Sequence, residues 1–235
     1  MQVSPKEEQI KSLFNKIARQ YDLLTSLLCF NRDKYWRRVA ADAAKIAEGD
    51  QILDVCCGTG KLTLEIAKRL GANGLVTGLD FSAEMLSVAR AKLNNSPYRE
   101  QVALIEGNAM SLPFPEHSFD AATSAFSLRS VPDIAQAISE MRRVVRPGGR
   151  VVVVDLAKPG LPVFQQASHF YSEKVAPWLG RRGIIMSGPR KWLPESLLRF
   201  PSQKEIAGVF AAAGLREISC RELTGGIVAV YVGVK

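Results

Sequence analysis

What constrains this chain most is an alternation. Between residues 51 and 156, short apolar runs ended by glycine or proline turns take turns with segments of helical period. QILDVCC (51–57) is an apolar run stopped by Gly58-Thr59-Gly60, and KLTLEIAKRLG (61–71) resumes at helical spacing with Gly71 placed as its C-cap. The unit repeats as LVTGLD (75–80) and SAEMLSVARAKLNN (82–95), with Ser82 as N-cap and Glu84 as an acid in the first turn. VALIEG (102–107) and FDAATSAF (119–126) read as strands joined by the Pro-containing loop NAMSLPFPEHS in place of a helix. IAQAISEMRRVVRPGG (134–149) reads as a helix closed by Pro-Gly-Gly, and RVVVVDL (150–156) as a strand of the continuously apolar kind buried in parallel sheets.

Such alternation implies right-handed βαβ crossovers and one parallel sheet with helices on its faces. The end of the chain departs from it. SQKEIAGVFAAAGL (202–215) is a helix and REISCREL (216–223) a strand, but only Thr224-Gly225-Gly226 separates that strand from IVAVYVGV (227–234). So short a link forbids a crossover and requires an antiparallel pair. The expectation is a doubly wound seven-stranded α/β sheet with an antiparallel C-terminal hairpin. With 235 residues, 47% of them hydrophobic, there is enough apolar material for one sizeable core. No repeat or low-complexity linker divides the chain, so residues 1–235 are read as one domain.

Two segments lie outside the alternation. Ile10, Leu13, Phe14, Ile17, Ala18 and Tyr21 recur at amphipathic-helix spacing, so residues 1–45 are expected to form a helical cap. Residues 157–201 are expected to be a helical lid insertion, where Phe164, Phe170, Tyr171, Trp178 and Trp192 accompany Lys158, Arg181, Arg182, Arg190, Lys191 and Arg199. Aromatics beside cations suit an anionic lipid interface, while the same residues in a lid would only complete the core. No run approaches the ~20 apolar residues of a spanning helix, and the mixed charges of MQVSPKEEQIKSLFNKIARQYD fit no secretory signal. A cytoplasmic protein, touching at most the inner face of a membrane, is expected. The net charge of +8 suits an acidic partner without choosing between nucleic acid and lipid. Cys29, Cys56, Cys57 and Cys220 lack metal-ligand spacing, so no metal is expected and Cys56 and Cys57 are read as packing beneath a turn.

In open α/β sheets the first glycine turn lets backbone approach a ligand. Here that turn is DVCCGTG (54–60). A dinucleotide fingerprint requires glycine at 63, where Thr63 stands; a P-loop requires glycine at 55 and Ser or Thr at 62, where Val55 and Leu62 stand. S-adenosyl-L-methionine has no phosphate, but it has an ammonium, a sulfonium and a ribose diol. Asp54 before the glycines suits the ammonium, and Asp80 ending the second strand suits the two ribose hydroxyls, although it also reads as a turn residue before the next helix. Gly58 and Gly60 open the turn. Thr59 is assigned to the methionine portion through its amide or hydroxyl, and Asn108 and Ala109 to the adenine edge, although Asn108 also reads as a plain turn residue.

With these residues in view, the sequence resembles the ubiquinone/menaquinone biosynthesis C-methyltransferase family over nearly its whole length. The likeness is carried by FNKIARQYD (14–22), YWRR (35–38), DVCCGTG, GLDFS (78–82), GNAMSLPFP (107–115), AFSLRSV (125–131), RPGG, LPES (193–196) and LTGGIVAV (223–230). The resemblance implies a class I S-adenosylmethionine-dependent methyltransferase that methylates a ring carbon of a prenylated quinol, and GNAM and DVCC resemble the branch acting on demethylmenaquinol. The chain departs from the family at Lys61, at Ser127 and Ser130 of the fourth-strand motif, and at Trp192 before LPES; Ser130 and Trp192 are expected to face the acceptor.

A quinol carbon becomes nucleophilic when its neighbouring hydroxyl loses a proton, and a phenol of pKa ~10 is seldom ionised at neutral pH without help. Arg129 is the candidate that stabilises the phenolate, since guanidinium stays charged, with a strand-end salt bridge as the plain reading. Tyr21 is the candidate that holds cofactor or acceptor hydroxyl, beside Asp22; both also fit simple packing of the N-terminal helix. His117 is expected in an exposed turn, and His169 lies in the insertion. No nucleic acid partner is expected, since the chain has no Asn/Asp-Pro-Pro-aromatic motif and no RNA module. A non-catalytic scaffold is disfavoured by the intact cofactor signature. A homodimer is admitted, since nothing in the sequence fixes the oligomeric state.

Overall fold

A computed structural model of the chain describes residues 5–159 and 200–235, and elements are numbered along those residues. Two helices, α1 (Pro5–Leu28) and α2 (Arg32–Ala43), precede β1 (Gln51–Val55), α3 (Lys61–Ala67), β2 (Leu75–Asp80), α4 (Ala83–Asn94), β3 (Val102–Glu106) and β4 (Phe119–Ala125). After them come α5 (Ile134–Val144), β5 (Val145–Leu156), α6 (Gln203–Ala212), β6 (Arg216–Leu223) and β7 (Val228–Val234). The strands form one sheet in the order β3-β2-β1-β4-β5-β7-β6. Pairing is parallel from β3 through β5, whereas β7 lies antiparallel to both β5 and β6. The seven-stranded sheet and its C-terminal hairpin are therefore those expected.

Strand alternation builds two cores. Leu53, Val151, Val153 and Tyr231 face one side, where Ile138 and Met141 of α5 and Ile206 and Phe210 of α6 pack on them. Ile52, Val152, Val154 and Val230 face the other, where they meet Trp36 and Ala40 of α2 and Leu62 and Ile66 of α3. Fully burying a side chain such as Phe210 is worth about 1.5–3 kcal/mol, so such residues bind helices to sheet without any special chemistry. Helix starts follow side-chain caps: Ser82 accepts from the amide of Met85, Asp133 from that of Gln136, and Ser202 forms a capping box with Glu205.

Two boundaries differ from expectation. The helix expected over 134–149 ends at Val144, and Arg146-Pro147-Gly148-Gly149 belongs to β5. Proline disfavours helical backbone at the residue before it, and Val145 already pairs with Phe119, so the chain turns into the sheet before the proline. The register shift between Phe119 and Ala121 takes up the Pro-Gly-Gly segment. Helix α3 stops at Ala67; Arg69 and Leu70 then bond to carbonyls three residues back, and Gly71 lies at φ +65°.

Candidate active site

Strand order reverses between β1 and β4, and a cleft opens there at the carboxyl ends of the strands. It encloses about 880 Å³ including its open mouth, within the range of small-molecule sites. The turn after β1 forms its floor. Cys57 donates its amide to Leu79 O at 3.0 Å, which ties the turn to β2, and Cys56 and Gly58 both lie at φ +56°. A Cβ at Gly58 would touch nothing within 4 Å. That left-handed conformation favours glycine there, although Cys56 adopts it too, and the bare backbone of Gly58 borders the cleft. At Gly60, φ +76°, a Cβ would meet Ala89 Cβ at 3.2 Å, so this glycine lets α3 start close beneath α4.

Asp54 and Asp80 line the cleft from adjacent strands, and both are buried. Thr63 and Thr123 donate hydroxyl bonds to Asp54 at 2.6 and 3.2 Å. Asp80 accepts amides of Gly58 at 2.8 Å and Ser82 at 2.9 Å. The turn role that Asp80 invited is therefore real, and it fixes the carboxylate at the edge of the cleft. Neither acid has an ion-pair partner among the described residues. Burial pushes Asp54 up to about 7 against its two threonine bonds, and Asp80 up to about 6 against its amide bonds. Two unpaired buried carboxylates make this end of the cleft a receptor for positive charge and for hydroxyl donors, which fits the ammonium, sulfonium and ribose of S-adenosylmethionine. Asn108 and Ala109 also line this end, with Asn108 Oδ1 accepting the amide of Met110 at 2.9 Å.

Helix α1 covers the cleft with Phe14 and Tyr21. Its clasp is Asp22, which accepts the Thr59 hydroxyl at 2.6 Å and pairs with Lys92. Burial works to raise the Asp22 carboxyl, but Lys92 and Thr59 hold it below its ordinary value. The Thr59 hydroxyl is thus engaged, which leaves its amide as the group offered to a ligand. Lys61, one of the departures from the family pattern, bonds Ser26 at 3.1 Å and Asp33 at 2.9 Å and so joins α3 to α1 and α2.

Two buried guanidiniums, Arg37 and Arg129, lie close enough to Tyr21 to act on its phenol. Arg129 is neither exposed at a strand end nor among the residues that line the cleft; its side chain is 6% accessible, and Nε donates to the fully buried Asp155 at 3.0 Å. Asp155 also accepts amides of Leu128 and Leu156 at 2.9 and 2.7 Å. Arg37 lines the cleft itself, bonded to Asp33 at 2.8 Å and lying 4.9 Å over the ring of Phe126. Burial raises the Tyr21 phenol, while Arg37, Arg129 and a bond from Thr25 draw it down; the net shift is upward, so Tyr21 is an O–H donor at neutral pH. Ser130 also lines the cleft, and its hydroxyl is buried with no hydrogen-bond partner among the described residues.

Sequence reasoning passed over Arg37, which was quoted only within YWRR. Its signal was present in the Asp33–Arg37 spacing, which places an acid and a base on one helix face. Burial drives the thiols of Cys56 and Cys57 far upward, and that of Cys29 to about 11, so all three are protonated thiols and poor nucleophiles. His117 is exposed at φ +59°. His169, Trp192, LPES and the lid expected over 157–201 lie outside the described residues, apart from 157–159 and 200–201.

The sequence pattern of the ubiE/COQ5 methyltransferase family matches residues 1–235. A demethylmenaquinone methyltransferase of Desulfitobacterium hafniense (strain Y51) is 42% identical over 230 residues, covering 98% of this chain and 91% of that protein. One of Bacillus subtilis (strain 168) is 40% identical, covering 98% of each. Among solved structures, a SAM-dependent methyltransferase of Thermotoga maritima superposes with TM-score 0.64 at 19% identity, over 96% of this chain and 99% of that one. The [4+2]-cyclase SpnF superposes with TM-score 0.66 at 21% identity, over 86% and 81%. At such identities the likeness shows the fold alone, and the cyclase shows that this fold does not fix the reaction.

Proposed function

The chain belongs to the ubiE/COQ5 methyltransferase family and is an S-adenosyl-L-methionine-dependent methyltransferase, and on that premise we propose that it methylates a ring carbon of a prenylated quinol, demethylmenaquinol, to give menaquinol. The observation that carries this reading is 42% identity across 98% of the chain to a protein that bears the name demethylmenaquinone methyltransferase. The two unlike ends of the cleft support it.

Asp54 receives the cofactor's ammonium, Asp80 its ribose hydroxyls, the Thr59 amide and the open backbone at Gly58 and Gly60 its methionine portion, and Asn108 and Ala109 its adenine. Bound there, S-adenosylmethionine supplies an electrophilic methyl group. The chain does the rest by position and charge. Arg37, which lines the cleft, and Arg129, which lies outside its lining but acts on Tyr21 through its charge, stabilise negative charge on the quinol oxygen, which raises the nucleophilicity of the adjacent carbon. Asp155 and Asp33 hold the two guanidiniums in place, so their geometry is set before the acceptor arrives. Tyr21 keeps its proton and donates a hydrogen bond to the same oxygen, and Ser130, whose hydroxyl has no partner among the described residues, offers it to the ring's other substituent.

The experiment is direct: labelled S-adenosylmethionine is incubated with demethylmenaquinol, a benzoquinol lacking the same methyl group, and RNA, and the product is identified by mass. The expected product is menaquinol carrying the label on the ring. Label in RNA with no quinol product would overturn the reading. A prenylated acceptor is held in lipid, so contact with a membrane surface is part of this proposal. Among the described residues no helix is long and apolar enough to cross one.

A further inference from the structure

Helix α1 has two unlike faces. Its inner face lines the cleft with Phe14 and Tyr21. Its outer face ends in Leu23, 73% exposed, and Leu27, 44% exposed, and the turn into α2 presents Phe30 at 77%. Tyr35, 40% exposed, follows on α2. These are four of the five strongly exposed large hydrophobic residues among the described ones, gathered within thirteen positions. Phe30 and Asn31 both lie in left-handed backbone, at φ 49° and 58°, a conformation that costs energy at a bulky residue and here places Phe30 at the tip of the corner.

The charges around this patch have one sign. From residue 16 to 38 the exposed charged side chains are Lys16, Arg19, Arg32, Lys34 and Arg38, and none forms an ion pair among the described residues. Both acids of the segment are engaged inward: Asp22 with Thr59 and Lys92, Asp33 with Arg37 and Lys61.

We propose that the outer face of α1 and the α1–α2 corner form a docking surface for an anionic lipid bilayer, with Leu23, Leu27 and Phe30 in the headgroup boundary and the five cations over lipid phosphates. The inference rests on the quinol reading and names the surface at which the site meets its acceptor's solvent. An amphipathic helix with leucine and phenylalanine on one side and cations beside them is suited to lie in a membrane interface. A second copy of the chain is the poorer occupant, since the two faces would bring five unpaired cations each into repulsion. Soluble phosphate would satisfy the cations and leave the leucines and Phe30 in water. The bilayer meets both. One helix diameter, about 10–12 Å, then separates the lipid from the cleft.

The test is sedimentation of the full chain with vesicles of phosphatidylcholine alone and with added phosphatidylglycerol. The wild type is expected to bind the anionic vesicles and to release as salt rises. Phe30→Ser with Leu27→Ser, and separately Arg32→Gln with Lys34→Gln and Arg38→Gln, are each expected to weaken binding about tenfold or more, with unchanged melting temperature. Turnover of a short-chain, water-soluble demethylmenaquinol is expected to stay at the wild-type rate in both variants, while KM for the long-chain quinol in vesicles rises. Equal binding to neutral and anionic vesicles, or undiminished binding by both variants, would overturn the docking surface. So would a stable dimer in the ultracentrifuge that Phe30→Ser dissociates. Absence of turnover with the soluble quinol would instead overturn the quinol reading, and vesicle binding would still be scored by itself.

Discussion

The two ends of the cleft solve opposite electrostatic problems. At the end assigned to the cofactor, Asp54 and Asp80 are buried with no cation paired to them among the described residues, and their carboxyls are pushed up to about 7 and about 6. Around the proposed acceptor end, Arg37 in the cleft lining and Arg129 outside it are buried with a carboxylate each, Asp33 and Asp155. An acid left unpaired in a buried place is completed by a ligand that brings positive charge. A cation already paired is fixed in place, and it gains further when negative charge develops beside it. On the proposed assignment the first arrangement belongs to binding and the second to chemistry, because only an interaction stronger in the transition state than in the ground state accelerates the reaction.

The sharpest way to break that division is to neutralise the acceptor end. Arg129→Gln is expected to lower the methyl-transfer rate about a hundredfold, by analogy with the loss of one oxyanion donor, and to leave cofactor affinity as it was. Higher pH should restore part of the deficit, since a more ionised quinol needs less help, and a rate profile across pH checks this. If Arg129 only braced Asp155, Arg129→Lys would rescue the rate fully and the pH profile would not move.

At the cofactor end, Asp80→Ala removes a charge-assisted partner of the ribose, and calorimetry should show affinity weaker by roughly tenfold to a hundredfold. The same change frees the amides of Gly58 and Ser82, so the melting temperature should be followed beside it.

The buried acids also set a pH dependence. An ammonium needs Asp54 ionised, so cofactor affinity should fall by up to about tenfold per pH unit below about 7, and Asp54→Asn should flatten the profile. Stability of the cofactor-free protein runs the other way. The native state binds protons on Asp54 and Asp80 that the unfolded state releases near the ordinary value of 3.8. That contribution is fully present below 3.8 and is lost as pH rises through about 6 and about 7, which thermal melts without cofactor would register. The smallest effect is expected at the clasp: Asp22→Asn loosens a half-exposed pair worth ~0–1 kcal/mol, so cofactor affinity should change only a few-fold.

The same contrast decides how much could be read from sequence. Most of the end assigned to the cofactor is written in one stretch, since β1, the glycine turn, α3 and β2 follow one another from residue 51 to 80, with Asn108 and Ala109 added after the next strand, β3. The acceptor end gathers Tyr21, Arg37, Arg129 and Asp155 from four distant segments. Asp155 sits inside the apolar run VVVVDL and carries no local mark, so the partner that buries Arg129 could not be named, and the salt bridge weighed as the plain alternative was placed at the surface. The helix expected to reach Gly149 failed for a related reason, because pairing of Val145 with Phe119 is a contact across the sheet and outweighs helical period.

The most direct measurement takes Asp80→Ala and Arg129→Gln side by side, with the dissociation constant of S-adenosylmethionine and the single-turnover rate on demethylmenaquinol determined for both. The account predicts a crossing. Asp80→Ala shifts the dissociation constant and regains most of its rate at saturating cofactor, whereas Arg129→Gln keeps the dissociation constant and stays slow however much cofactor is added. If both variants lost affinity and rate together, the two ends would be one coupled site and the division of labour drawn here would be wrong.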